Sequence, residues 1–407
     1  MHFPSLSTGR RRAVLVAVPV LVVTAAVGVA SAIAPSAAAS TAMTNTAAVS
    51  PCQPYLLPGA PGDGHGNVMT LNDAGMYVGS VRDSAGAVRP AWWTHSDADP
   101  STGWSLHVPA IPDTTIAEFL DVNAGGVMSG VAYDLGQGFV YDSNTGAFTW
   151  LPDFASSYFS WARRINASGV VTGSAFDNDG TSYAAVWRPP YAQADRVHAP
   201  GESQNITFPD GTHIKVGSET DGINDEGTLA GYTFLGGPAH DVDQFARTKQ
   251  WRNAYAPLLQ AFTRSNPGGV TRLRAGFDQA FGFAINNAGL VVGASLRDPN
   301  AGFMPTYWRD GVEHDMGAPP DAVGGRAASV SQGGWAAGGV ALGDDTLHSF
   351  VWTGAGRLQL NDPLPGYDSG FSHGVSDVLR QVTGNSIGAD RQPVPTVWQC
   401  PAGFTTG

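Results

Sequence analysis

A chain of 407 residues with 52 Gly, 28 Pro, 43% hydrophobic and only 14% charged residues is too apolar to stay disordered and too rich in turn formers to be a helical bundle. Two cysteines exclude a disulfide-dense scaffold, and neither zinc-ligand spacing nor a glycine-rich phosphate or dinucleotide fingerprint occurs. The formal charge of −12, more acidic still once the arginines of the leader are set aside, makes nucleic acid a poor partner.

The first element is a leader. Arg10, Arg11 and Arg12 precede an Ala/Val-rich run from Ala13 to Ala34, closed by the small-residue sites Ala30-Ser31-Ala32 and Ala37-Ala38-Ala39. Charge, apolar stretch and small-residue site in that order predict a secretory signal peptide over residues 1–39. The competing reading, a retained membrane anchor, is weakened by Pro19 and by the alanine content. The paired arginines lack the Phe-Leu that would follow in a twin-arginine signal, so the export route stays open. Residues 40–51 are small and polar and form a spacer, after which the chain faces an oxidising compartment.

One unit then recurs seven times. A hydrophobic residue, an Asn or Ser, a Gly three residues on and a second Gly seven residues on appear in TLNDAGMYVGS from Thr70, DVNAGGVMSGV from Asp121, RINASGVVTGS from Arg164, GINDEGTLAGY from Gly222 and AINNAGLVVGA from Ala284. Two worn copies follow, SVSQGGWAAGG from Ser329 and GVSDVLRQVTGN from Gly374, the last one residue longer and without the first Gly. After each second Gly a short apolar run ends in an aromatic residue: Trp93, Tyr141, Trp187, Trp251, Trp308, Trp352 and Trp398. The second glycines, from Gly79 to Gly384, are spaced by about 51 residues, a blade-sized period.

Each unit divides into four short strands. The first ends at the Asn, whose side chain caps its own turn while the first Gly adopts the left-handed conformation of the reversal. A second strand alternates out of that turn, a third ends at the aromatic residue, and a fourth follows a Gly-bearing turn such as that after Trp352. A sheet apolar on both faces must stack on like neighbours, and radial closure protects its edges. The expected fold is therefore all-β, a seven-bladed β-propeller of four-stranded blades over residues 52–400, with a tail at 401–407. The repeated A-x-x-I-N-x-x-G-x-V-x-G followed by a strand ending in Trp resembles the bacterial extracellular repeat, HAF family, from about Val68 to Trp398. The resemblance implies secretion and a propeller-like build. It carries no reaction and no catalytic residues.

Unit seven runs out after Trp398-Gln399-Cys400 and lacks a fourth strand, whereas Cys52-Gln53-Pro54-Tyr55-Leu56-Leu57-Pro58 resembles the fourth strand of unit two, Phe148-Thr149-Trp150-Leu151-Pro152. The N-terminal segment is expected to complete the last blade beside Pro395 to Gln399, with a Cys52–Cys400 disulfide in place of the missing hairpin turn. On the chain-entropy model such a bridge stabilises by roughly 4 to 5 kcal/mol.

In this strand order the Asn-Gly reversals and the turns between strands three and four share one rim, and the variable loops share the other. The longest of those loops, Thr233 to Lys249, Pro189 to Val216 and Asn253 to Gln279, are expected to build the binding face. Aligning the first strands on their Asn brings charged residues to the axis: Glu118 and Asp121, Arg163 and Arg164, Glu219 and Asp221, Arg326, and His373. One reading is a site at the channel mouth. There Glu118, Asp121, Glu219, Asp221 and His373 serve acid/base chemistry on a sugar, and Arg163, Arg164 and Arg326 grip acidic substituents. The other is a set of ion pairs lining a water-filled tunnel.

Weaker motifs are the half calcium loop Asp177-Asn178-Asp179-Gly180, which lacks the closing Glu, the cluster His240-Asp241-Val242-Asp243, and His65 in a glycine-rich loop. No metal site and no cofactor is expected from them. There is no Gly-x-Ser-x-Gly elbow, and the bridge leaves no free thiol. Trp92, Trp104, Trp150, Trp161 and Trp335 stand outside the repeat position and would suit sugar stacking if exposed on the variable rim. The leading expectation is a secreted, monomeric, non-catalytic propeller that binds carbohydrate or an extracellular protein, with no membrane contact once the leader is removed. The alternative is a glycoside hydrolase or polysaccharide lyase.

Overall fold

A computed structural model describes residues 52–59, 64–96, 99, 101–154, 159–177, 181–202, 205–207, 213–236, 260–265, 269–273, 279–296 and 302–406. The expectations for residues 1–51, for Asn178 to Gly180, for His240 to Asp243 and for Trp251 lie outside them.

Within the described residues every Asn-x-x-Gly segment folds as a tight reversal between two antiparallel strands. The Asn166 side-chain oxygen accepts the backbone N–H groups of Ser168 and Val170, and Gly169 lies at φ 79°. In the longer seventh copy, Arg380 takes the left-handed position at φ 54° although it is not glycine. The strands form seven antiparallel sheets, six of four strands and one of five. The first strand of each sheet touches the first strand of the next, and that of the seventh (Ser369–Ser376) returns against that of the first (Gly66–Leu71). The architecture is a closed seven-bladed β-propeller. Among the described residues there is no helix long and apolar enough to cross a membrane.

Closure follows the expected route. Gln53–Leu56 pairs antiparallel with Pro393–Gln399 as the outermost strand of blade seven, with Gln53 opposite Gln399 and Leu56 opposite Thr396. Cys52 and Cys400 are bridged with their Cα atoms 4.1 Å apart. Both are buried against Val382, Trp398 and Phe404. The tail therefore packs onto the blades, and the Thr406 hydroxyl donates to the Ala355 carbonyl.

Between blades the core is made by the repeat tryptophans. Trp93, Trp187, Trp308, Trp352 and Trp398 are at most 1% exposed. The indole N–H of Trp93 donates to the Pro58 carbonyl and that of Trp187 to the Pro152 carbonyl. The two prolines end the two segments that look alike in sequence, and each caps the tryptophan of the blade that follows it.

Blade four departs from the expectation. Its third strand is Ala261–Arg264, not a strand ending at Trp251, and Arg264 occupies the tryptophan position while Phe262 fills the core two residues earlier. The segments read as long loops also contain strands. Asn205–Thr207 adds a fifth strand to the extended first strand His213–Ile223, and Val270–Arg272 forms the outer strand.

Candidate functional site

The inner strands share an irregularity that shapes the axis. In all seven, the register with the second strand shifts between the fourth and the second residue before the turn Asn or Ser, as at Val68/Thr70 and Ala162/Arg164. Such a bulge sharpens the twist and re-aims side chains. It also explains the second Gly of the repeat. A Cβ at Gly173 or Gly293 would sit 1.8 Å from the carbonyl oxygen of Trp161 or Phe281, and one at Gly79, Gly338 or Gly384 would sit 2.0 Å from that of Asn67, Arg326 or Phe371. That glycine is needed for close approach of backbone, and the residue it admits is the one five places before the turn.

Counting back from the turn residue thus gives two levels of axial side chains. Five before it stand Asn67, Glu118, Trp161, Glu219, Phe281, Arg326 and Phe371. Three before it stand Met69, Leu120, Arg163, Asp221, Phe283, Ala328 and His373, with Asp121 and Arg164 next to that level. The upper level opens the inner strand in most blades, so it lies toward the variable rim.

On blades two to four every charge is engaged. Glu118, 5% exposed, accepts from Asn67 Nδ2 at 3.0 Å, Ser80 Oγ at 2.9 Å and Tyr133 OH at 3.0 Å, so it is wedged between blades one and two. Arg163 lies 3.4 Å from both Glu219 and Asp221 and stacks 4.3 Å over the Trp161 ring. Tyr232 OH donates to Glu219 at 2.7 Å. Asp121 accepts the Ile165 N–H at 2.9 Å and faces Arg164 at 3.7 Å. Arg164 in turn reaches across the axis and donates to the Ala328 carbonyl of blade six at 3.0 Å.

Burial raises the pKa of Glu118, of Asp121 against the opposing charge of Arg164, and of Glu219 against that of Arg163. Tyr133 and Tyr232 are pushed far up, by burial and then by the neighbouring carboxylates. Burial alone would lower Arg163, but Asp221 and Glu219 outweigh it and hold the guanidinium more firmly charged.

On blades five to seven the lining changes character. Arg326 lies 5.3 Å from the Phe283 ring centroid and 5.1 Å from that of Phe371, with no carboxylate within ion-pair distance among the described residues. Burial lowers its pKa. His373 stands beside Phe371, ring centroids 4.8 Å apart. Burial first, then Arg326 and Arg164, bring its pKa down to about 3, so its ring is neutral at physiological pH. Phe281 and Phe283 stack with centroids 6.0 Å apart, and Tyr232 meets both edge to face.

The eight charged axial residues found by alignment are thus placed on the inner strands, but the carboxylates are each tied to a neighbour. The aromatic residues Trp161, Phe281, Phe283 and Phe371, together with Tyr133 just after the second strand of blade two and Tyr232 in that of blade four, carry no charge to mark them in the sequence. The same count from the Asn finds the first four. Of the other tryptophans, Trp92 stacks on His107, Trp104 packs on Tyr77 and His95, Trp150 on Phe139 and Phe148, and Trp335 on Phe404. Among the described residues no three His, Cys, Asp or Glu side chains converge as metal ligands.

No protein-family model and no curated protein matches the chain. Solved structures resemble it at low identity. The β-propeller domain of the Trilobed protease from Pyrococcus furiosus is 8% identical, with 86% of this chain and 94% of that one covered at a TM-score of 0.48. A putative TolB from Agrobacterium tumefaciens is 11% identical, covering 73% and 95% at 0.43. Virginiamycin B lyase from Staphylococcus aureus is 8% identical, covering 81% and 97% at 0.43. These likenesses transfer neither chemistry nor partner to this chain.

Proposed function

We propose that the protein is an exported, non-catalytic propeller of the HAF repeat kind that binds an extracellular carbohydrate at the variable-rim mouth of its axis. The observation that carries this reading is the division of labour among the axial side chains. The carboxylates needed for acid/base work are committed to tyrosine partners on their own blade and to arginine and backbone partners on the neighbouring one. The rings of Trp161, Phe281, Phe283 and Phe371 meanwhile line the same axis half-buried. A few aromatic faces with a few fixed polar groups is the usual make-up of a small-ligand site on a rigid scaffold. The Cys52–Cys400 bridge fits an oxidising compartment.

The test is retention on immobilised plant and microbial polysaccharides and on cell-wall fractions, together with an assay for released reducing ends. Saturable binding at micromolar concentration without release supports the reading. No binding to any of these materials overturns it.

One observation favours the alternative of a hydrolase or lyase. Glu118, with its pKa raised by burial and a tyrosine hydroxyl at 3.0 Å, has the character of a general acid. Release of sugar that Glu118→Gln abolishes would establish it in place of the binding module.

A further inference from the structure

A guanidinium that is neither ion-paired nor freely solvated needs an account. Arg326 lies on the inner strand of blade six, and it is held by Phe283 of blade five on one side and Phe371 of blade seven on the other. Stacked rings satisfy the faces of a guanidinium and leave its N–H edges free, and those edges match two oxygens of one planar anion. The axis could have supplied that anion. Asp221 and Glu219 lie across it, but both are spent on Arg163. The uncommitted edges of Arg326 therefore mark a place for a group from outside.

The chemistry of the surroundings narrows the class. The acidic chain, at −12 overall, and the carboxylates across the axis repel a doubly charged phosphate ester or free sulfate more than a singly charged carboxylate. Next to the guanidinium, Phe281 and Phe283 stack in a half-buried pair, flat enough for the apolar face of a sugar ring. His373, one strand over and neutral, makes no hydrogen bond among the described residues, and its ring can donate to or accept from a hydroxyl.

We propose that Arg326, clamped by Phe283 and Phe371, is the docking point for the carboxylate of a uronate residue, whose ring lies on the adjacent phenyl faces with a hydroxyl at His373. This deepens the binding-module reading and rests on it. Phosphorylated or sulfated ligands and simple aromatic acids share part of this chemistry, and the test separates them.

The experiment is isothermal titration of the protein, with its disulfide intact, using galacturonate and glucuronate trisaccharides, their methyl esters, benzoate and inorganic sulfate. A uronate trisaccharide should bind. Its methyl ester and the Arg326→Gln variant should each bind about thirty-fold more weakly or worse, the range for a hydrogen-bonded charge, and Phe371→Leu should weaken binding at an unchanged Tm. If Arg326→Gln does not fold, Arg326→Lys and the acid-to-ester ratio decide the matter, because the ratio is read on the unaltered protein.

Equal binding of acid and ester, wild-type affinity in Arg326→Gln, or Arg326-dependent binding of benzoate or sulfate as tight as that of the sugar overturns the proposal. So does no binding of either uronate. A neutral polysaccharide bound independently of Arg326 would sink the uronate site and leave the binding module standing, whereas no binding to any glycan removes both.

Discussion

Blades two to four keep the full repeat, and blades six and seven wear it down; the two sides hold the ring together differently. On blades one to five each turn Asn uses both ends of its amide. The oxygen caps its own turn, and Nδ2 donates to the backbone carbonyl of the next turn residue: Asn72 to Asn123, Asn123 to Asn166, Asn166 to Asn224, Asn224 to Asn286, and Asn286 to Ser331. Blades six and seven carry Ser there, too short to reach. The seam after blade six is bridged by the Gly333 N–H on Asp377, and that after blade seven by the Ser376 hydroxyl on the Asp73 side chain. The axis shows the same split. Blades two to four carry a network of paired charges, and blade six carries a guanidinium with no carboxylate at ion-pair distance among the described residues. Conservation of the unit goes with internal satisfaction, and decay of the unit goes with groups left for something else.

The largest effect expected from this contrast is at Arg163. Replacing it by Met leaves Glu219 and Asp221 desolvated without a counter-charge. Loss of one partner of a buried pair is far costlier than the pair is worth, and with some solvent access the penalty should be about 3 kcal/mol. Urea denaturation should show it as a lower midpoint at an unchanged slope. A shift below about 1 kcal/mol would mean that the carboxylates are hydrated and that the two sides are alike.

The seams come next. Asn166→Ala removes the cap of its own turn and the link to blade four, leaving buried N–H and C=O groups unpaired, for a cost of about 2 kcal/mol. Ser331→Ala removes only the bond from the Trp335 N–H and should cost about 1 kcal/mol or less. Equal losses at the two positions would erase the distinction between kept and worn repeats.

How much of this was legible follows from the same residues. The blade count, the closing strand and the disulfide were readable because they depend on repetition and on a missing strand, both visible as gaps in a periodic pattern. The caps were readable because an Asx turn is local. The amide's second bond was not, since its acceptor lies 43 to 62 residues away on another blade. The reason for the second Gly was not legible, because the bulge that crowds it appears only when two strands pair. Blade four misled for a further reason. Trp251 is an aromatic residue within reach of the repeat spacing, whereas the strand Ala261–Arg264 carries Arg264 at the repeat position and buries Ala261 and Phe262. At the axis, charge was found and aromatic character was not, so the site was first drawn around the carboxylates.

Titration separates the two sides by sign. Glu118, Asp121 and Glu219 have pKa values raised by burial, so the folded state holds their protons more tightly than the unfolded chain. Their contribution to stability is full at low pH and is lost as pH rises through the folded values. His373, lowered from 6.5 to about 3, does the reverse. Its contribution is full above pH 6.5 and is lost as pH falls from there toward 3, with a slope of at most about 1.4 kcal/mol per pH unit for one proton. In that window His373→Gln should flatten the acid loss of stability and Glu118→Gln should steepen it. Two variants with the same pH profile as the parent would show that neither side is buried enough to matter.

The smallest effect is expected at Arg326, and its smallness is the point. Arg326→Met breaks no ion pair and gives up two cation–π contacts, which at 5.1 and 5.3 Å are worth about 1 kcal/mol in all. It also relieves the desolvation of a charge that no carboxylate at ion-pair distance answers among the described residues, and the methionine packs between the same two phenyl rings. The two terms nearly cancel, so the urea midpoint should move by less than the equivalent of about 1 kcal/mol in either direction. Arg163 and Arg326 occupy neighbouring levels of one channel and carry the same charge, so only their partners differ. A stability loss at Arg326 as large as at Arg163 would mean that this guanidinium too is a structural strut. Near-neutrality leaves Arg326 with no net gain inside the fold, as expected of a group held ready for a bound anion.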